Sequence, residues 1–463
     1  MAAGREAEAS LKESGGGGKP VSRRFQGLLT RARGRVRSPL PASVARLQRS
    51  RSSTLFCAFL TLLNDRLSES LIFPLLPFLL ASFSDDGRII GLLAGSYALA
   101  QFSFTPLIGA LSDHYGRKPV IAGCVAGSVL GLGLFALTLS IDWSAVAWVT
   151  GSSLPLGLLF LGRLIDGVSG GTAATAGAVL ADITPPERRA KAFGLIGVAF
   201  GLGFILGPAM GGLLGRINVM LPLLIAVAIA VLNLLLVVGV LPETHPPQAR
   251  LPLPRKRDLQ PFGPLARVFR DPRVRRLCSA FFLFFLGFSG FTAVLVLYFK
   301  QAFDWGPGLA GAAFLVVGVV ATVVQGGLIG PLVKRLGEWR LSLAGLGFVI
   351  AGCLLIAVAA PATAKLLVFS GVALLALGTG LVTPCLRALV SRRLSDAGQG
   401  AALGSLQGLQ SLAGFIGPPL AGLVYETVSW KSPFWLGITL MAGVVALVAG
   451  GLPGQSGPRG EVT

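Results

Sequence analysis

Twelve apolar runs of membrane-crossing length leave this chain few architectures to choose from. They occupy residues 55–80, 89–111, 119–140, 154–181, 192–214 and 219–241, then 277–300, 308–333, 341–360, 366–390, 401–425 and 433–452. About 20 apolar residues in a helix cross a hydrocarbon core about 30 Å thick. That core offers no water to the backbone, so each crossing has to close its own hydrogen bonds as a helix. Only 13% of the residues are Asp, Glu, Lys or Arg, against about 25% in average soluble domains. The expectation is an all-α polytopic membrane protein with 12 transmembrane helices.

Charge placement orients these spans. Arg117/Lys118, Arg188/Arg189/Lys191, Lys334/Arg335 and Arg392/Arg393 fall in connections on one side. The other side carries Asp85, Asp86, Arg88, Asp142, Arg216, Lys300, Asp304, Lys365 and Lys431, without a comparable basic cluster. Basic residues favour the cytoplasmic side, which places both termini there. The same scatter of the +20 net charge speaks against a nucleic-acid-binding face. Residues 1–53 read as a disordered basic cytoplasmic arm able to lie on anionic lipid. A targeting segment of the transit type has the same Arg- and Ser-rich, acid-poor look, and would send the chain to an organellar rather than the cell (inner or plasma) membrane.

Residues 242–276, rich in proline and arginine, read as a cytoplasmic linker between six-helix bundles at 54–241 and 277–453, with a tail at 454–463. The halves repeat one design. GALSDHYGRK at 109–118 aligns with GPLVKRLGEW at 330–339, matching Gly109 with Gly330 and Gly116 with Gly337. GFILGPAMGGL at 203–213 aligns with AGFIGPPLAGL at 413–423 through a shared Gly-Pro pair. Repeated halves of this kind belong to transporters with a site between them near mid-membrane.

Enzyme chemistry finds no support. The five cysteines lie in or beside apolar runs with no CxxC spacing, and the two histidines stand apart from any second ligand. No nucleophile, metal or phosphate-loop constellation is present, so the chain is expected to act without a metal or cofactor.

Six charges inside the spans need a reason, because a charged side chain deep in a bilayer costs at least about 2.5–3.5 kcal/mol. Asp65, Arg66 and Glu69 sit in the first span, Arg163 and Asp166 in the fourth, and Arg387 in the tenth. Residues three or four apart share a helix face, so Asp65/Glu69, Arg66/Glu69 and Arg163/Asp166 can meet. Asn64, Gln101, Gln325, Gln407 and Gln410 are polar candidates for a cavity wall, beside Arg387. Phe102, Phe291 and Tyr298 are rings that could contact a flat lipophilic molecule.

Several stretches resemble the major facilitator superfamily, and within it the twelve-helix drug:proton antiporters of the tetracycline-efflux type. GALSDHYGRKP (Gly109 to Pro119) is similar to that family's loop between helices two and three. The stretch from Leu159 to Gly194, LFLGRLIDGVSGGTAATAGAVLADITPPERRAKAFG, is similar to the exporters' fourth span. GLGFILGPAMGG (Gly201 to Gly212) resembles their antiporter signature, and Asp65 precedes Pro74 and Pro77 at the family's spacing. The resemblance covers about residues 54–452.

It implies a conformational latch at Gly109, Asp113, Gly116, Arg117 and Lys118, with Gly109 allowing close helix approach. It also implies an antiporter hinge at Gly203, Gly207, Pro208, Gly211 and Gly212. Proton coupling would fall to Asp65, Glu69, Arg163 and Asp166. The chain departs from the pattern at Arg66 and Glu69, where the family carries apolar or small residues. The implied activity is proton-driven efflux of a lipophilic or amphiphilic drug, tetracycline-like, by alternating access in a monomer, using protons, substrate and membrane lipids as its only partners. Two other readings stay open on the residues: an uptake carrier or uniporter of the same fold, and a non-transporting receptor or scaffold.

Overall fold

The long α-helices follow the apolar runs, short helical turns at Trp143–Ala145 and Pro247–Ala249 lie in connections, and no strand occurs among the described residues. The computed structural model describes residues 42–72, 75–145, 153–184, 189–250, 252, 272–393 and 399–450. Met1–Ser53 and Thr54–Thr463 are separate compact units. Most of the basic arm, much of the linker and the carboxyl-terminal tail lie outside the described residues.

The amino-terminal half is built from α1 (Ala42–Ile72), α2 (Leu76–Leu79), α3 (Gly87–Tyr115), α4 (Arg117–Ser140), α5 (Ser153–Ser169), α6 (Thr172–Ile183), α7 (Arg189–Ile217) and α8 (Leu221–Val240). The other half holds α9 (Pro272–Phe303), α10 (Pro307–Val323), a π-turn (Val324–Leu328), α11 (Ile329–Val358), α12 (Ala364–Arg393), α13 (Gln399–Thr427) and α14 (Ser432–Ala449). Eight helical stretches among the described residues are long and apolar enough to cross a membrane by length and composition. One of them, Pro307–Val358, breaks at Gly337 and holds two crossings. Helices α1, α7 and α13 fall on the three remaining apolar runs, an arrangement consistent with the twelve crossings expected.

Sequence explains the breaks. Pro77 lies in the first turn of α2, where its missing N–H leaves no helix bond unmade. The fourth crossing divides at Gly170–Gly171 into α5 and α6. Gly116 (φ 107°) and Gly337 (φ 75°) are the two glycines with positive φ among the described residues. A side chain is strained there, so the internal repeat is written into the backbone at matching turns.

The two halves meet along α3 with α13 and α7 with α10. Their tightest approaches lie at the end away from the basic loops. A Cβ on Gly95 would come 2.8 Å from Pro419 Cγ and 2.9 Å from the Phe415 carbonyl. Gly212 and Gly311 abut backbone to backbone, as do Gly91 with Pro418 and Gly422 with Gly87. At the basic end, a Cβ on Gly109, Gly326, Gly327 or Gly330 would meet nothing within 4 Å. The halves therefore close at the far end. Gly109, expected to permit close helix approach, faces open space in this state.

Candidate functional site

Three carboxylates and two guanidiniums gather inside the amino-terminal half. On α1, Arg66 lies between both acids: its Nη2 donates to Asp65 Oδ2 at 2.6 Å and its Nη1 to Glu69 Oε2. Asp65 and Arg66 are buried, while Glu69 is partly open. On α5, Arg163 Nη1 reaches Asp166 Oδ2 at 3.4 Å, a longer contact, and the Ser128 hydroxyl of α4 lies within electrostatic range of Asp166. Tyr97 of α3 joins the two groups. The Arg163 guanidinium lies 4.7 Å over its ring, and its hydroxyl is within electrostatic range of Glu69, Arg66, Asp166 and Asp65. The crevice shared by Arg163, Asp166, Gly131, Gly162 and Phe135 has no room for a water molecule.

Helix α7 presses on this cluster. A Cβ on Gly203 would come 2.6 Å from Arg66 Cβ, and one on Gly207 would strike Ser70. Ser70 Oγ donates to the Gly203 carbonyl at 2.7 Å. Pro208 sits within α7 and removes one backbone donor there; Gly211 and Gly212 are buried beyond it. The glycines of the antiporter-like stretch thus bring α7 onto the turn of α1 that carries Arg66.

The loop between α3 and α4 is tied down by arginine and acid. Arg117 Nη1 donates to Asp113 at 2.5 Å and to Ser112 Oγ at 2.7 Å, and its Nε to Asp182 at 3.1 Å. Glu243, just past α8, accepts the backbone N–H groups of Arg117 (2.9 Å) and Lys118 (3.2 Å), capping α4. A Cβ on Gly116 would collide with that carboxylate. The side-chain partners belong to one half and Glu243 to the start of the linker that follows it, so in this state the predicted latch ties no described residue of the opposite half.

The far end carries its own clamp, this time between halves. Lys300 Nζ pairs with Asp85 at 2.6 Å, and Gln301 Nε2 donates to the Asp85 carbonyl at 3.3 Å. Tyr425 OH donates to Gln301 at 2.7 Å, while Glu426 accepts the Gly87 N–H at 2.7 Å. Deeper in, Ser411 Oγ donates to Gln101 Oε1 at 3.2 Å, and Gln101 Nε2 donates to the Gly170 carbonyl at 3.3 Å.

The remaining sequence candidates divide. Gln325 is exposed on the π-turn, and Gln410 accepts from Arg387 Nη2 at 2.6 Å. Asn64 and Gln407 are half-buried on α1 and α13. The ring candidates are corrected: Phe102, Phe291 and Tyr298 are all buried in the core. Tyr298 donates to the Ile356 carbonyl and packs edge-on against Phe303 and Phe434. Sequence reasoning missed Tyr97, Ser128, Asp182, Glu243 and the Asp85–Lys300 pair. Only Tyr97 left a trace, four residues before Gln101 on the same helix face.

The Major Facilitator Superfamily model matches residues 54–418. The class C tetracycline resistance protein of Escherichia coli is 34% identical over 385 residues, covering 81% of this chain and 91% of that one. The class G protein of Vibrio anguillarum is 33% identical, covering 83% and 94%. Among solved structures, the human organic anion transporter MFSD10 (TETRAN) superposes with a TM-score of 0.65 at 27% identity, over 86% of this chain and 99% of that one. With its repeated glycine turns and this breadth of match, the chain belongs to the Major Facilitator Superfamily.

Proposed function

We propose that the protein is a proton-coupled exporter of amphiphilic small molecules. It works by alternating access in the cell membrane, as a monomer with both termini in the cytoplasm. The observation that carries this reading is the charge count of the cluster: Asp65, Glu69 and Asp166 against Arg66 and Arg163. One carboxylate is left over. A buried surplus charge calls for a counter-charge, and a proton or a cationic part of the cargo supplies it. Competition between the two for one place is what couples their exchange.

Two further observations support it. Glycine packing of α7 against Arg66 and Ser70 puts a helix that also meets the opposite half in direct contact with the cluster. The clamp at the far end, with the basic loops taken as cytoplasmic, makes this the inward-facing state. The names of the relatives, tetracycline resistance proteins, agree with drug export. The cycle makes and breaks no bond in the cargo, and the proton gradient supplies the energy without a cofactor.

The test uses the full chain in proteoliposomes with an imposed pH gradient and tetracycline as the probe. Substrate-stimulated proton flux is expected in the wild type, and its loss in Asp65→Asn and Asp166→Asn proteins that remain folded. Unchanged exchange in both variants would overturn the coupling role of the cluster.

A further inference from the structure

The carboxyl-terminal half holds one charge within its crossings that the amino-terminal cluster does not explain. Arg387 lies six residues before the end of α12 at Arg393, about 9 Å along the helix at 1.5 Å per residue. Its Nη2 donates to Gln410 of α13, a neutral partner, and its Nε is buried with no hydrogen-bond partner. Among the described residues no carboxylate pairs with it. The sequence from 277 to 450 contains four acids, and the three among the described residues, Asp304, Glu338 and Glu426, stand in a connection, at the Gly337 break and at a helix end. Arg66 and Arg163 are each matched by a carboxylate in their own half. Arg387 is not.

An arginine stays charged at any working pH, so the missing negative charge cannot be supplied by letting go of a proton. Its planar fork suits a carboxylate or sulfonate held by two parallel bonds, and Gln410 fixes one edge of that fork. The surroundings suit a ligand better than a sealed core. Gly380, seven residues earlier and so on the same face of α12, approaches Val324 and Gln325 of the π-turn. π-turns are frequent at functional sites. The Gln325 side chain is exposed there, and the neighbouring Gly326 and Gly327 have free space beside them.

We infer that Arg387, oriented by Gln410, is the head-group site for an organic anion, an amphiphile carrying a carboxylate or sulfonate. This rests on the exporter reading and names the chemistry of its cargo. The surplus negative charge of one half takes the proton, and the surplus positive charge of the other takes the anion.

The test compares pyrenebutyrate with its neutral amide. Binding to the full chain is measured in detergent without a pH gradient, and export in proteoliposomes with one. Wild type is expected to prefer the anion, and Arg387→Gln to lower the anion-to-amide binding ratio about tenfold, the usual weight of one charge-assisted contact. Arg387→Lys keeps the charge without the fork and should fall between. If Arg387→Gln is not recovered folded, Arg387→Lys and Gln410→Asn carry the comparison, each with a lowered ratio expected. Displacement of pyrenebutyrate by phosphatidylglycerol, and not by phosphatidylcholine, would make a lipid head group the source of the anion. An unchanged ratio in the folded variants would overturn the inference. Anion-selective binding without proton-driven export would leave the site standing and overturn the exporter reading instead.

Discussion

Substituting Gly95 by alanine should push the protein out of the state seen here. The added methyl would lie 2.8 Å from Pro419 Cγ, 2.9 Å from the Phe415 carbonyl and 3.0 Å from Pro419 Cδ. Each is short of ordinary van der Waals contact, which begins near 3.4 Å. A proline ring and a backbone carbonyl have no rotamer to retreat into, so α3 and α13 must separate by roughly half an ångström. Overpacking of this kind costs about 1–3 kcal/mol. Where α3 and α13 have parted at this end, the methyl meets neither group and costs nothing. The balance between the two states therefore shifts by about 5- to 150-fold.

Spin labels on cysteines replacing Ser82 and Ser429 would report the separation across the far end. The five native cysteines are all buried, which favours selective labelling. The longer-distance population should grow in Gly95→Ala and stay unchanged in Gly443→Ala, whose Cβ would meet nothing within 4 Å. Identical distance distributions in Gly95→Ala and wild type would refute the argument that glycine packing holds this end shut.

Further outcomes follow from the charges. Arg66→Gln leaves Asp65 and Glu69 without their common partner and should cost about 3–5 kcal/mol, read as a lowered unfolding midpoint in detergent. The triple variant Asp65→Asn, Arg66→Gln, Glu69→Gln should lose clearly less; an equal loss would show that charge imbalance is not the cause. At the far end Asp86 caps α3 by accepting the Arg88 N–H at 2.7 Å, and the hydrogen bond from the Arg88 side chain holds its carboxyl below the usual carboxylate range. Asp86→Ala should cost about 1 kcal/mol at neutral pH. Because the folded-state value is depressed, this contribution is complete above the ordinary carboxyl value of about 3.9 and fades as pH falls through the lower, folded one. Wild type and Asp86→Ala should then unfold alike in strong acid, and a persistent gap would place the effect elsewhere.

Much of the architecture was legible because hydropathy has few ways to be satisfied in a bilayer. The apolar run at 154–181 correctly marks a crossing, yet its division at Gly170–Gly171 leaves no mark in hydropathy. The π-turn at Val324–Leu328 is similarly silent, since one extra residue per turn changes neither composition nor span length. Within the site, the pairs legible in advance were the local ones, Arg66 with Glu69 and Arg163 with Asp166, because helix geometry alone brings them together. Contacts such as Arg117 with Asp182, or Asp85 with Lys300 across the two halves, depend on how helices pack, and spacing along the chain does not encode that. The aromatic candidates failed for a related reason. A phenylalanine looks the same in sequence whether it lines a cavity or fills the core, and Phe291 fills the core.

The Lys300–Asp85 pair closes the far end from a wet position, with half of the Asp85 side chain exposed. Its attraction is therefore shared with dissolved ions, whose screening length shrinks from about 10 Å at 0.1 M to about 3 Å at 1 M. Salt on that side alone would loosen the clamp, while the buried Arg66 and Arg163 pairs would hold. The resting balance between the two faces of this carrier is thus set partly by the salinity of the compartment on its closed side.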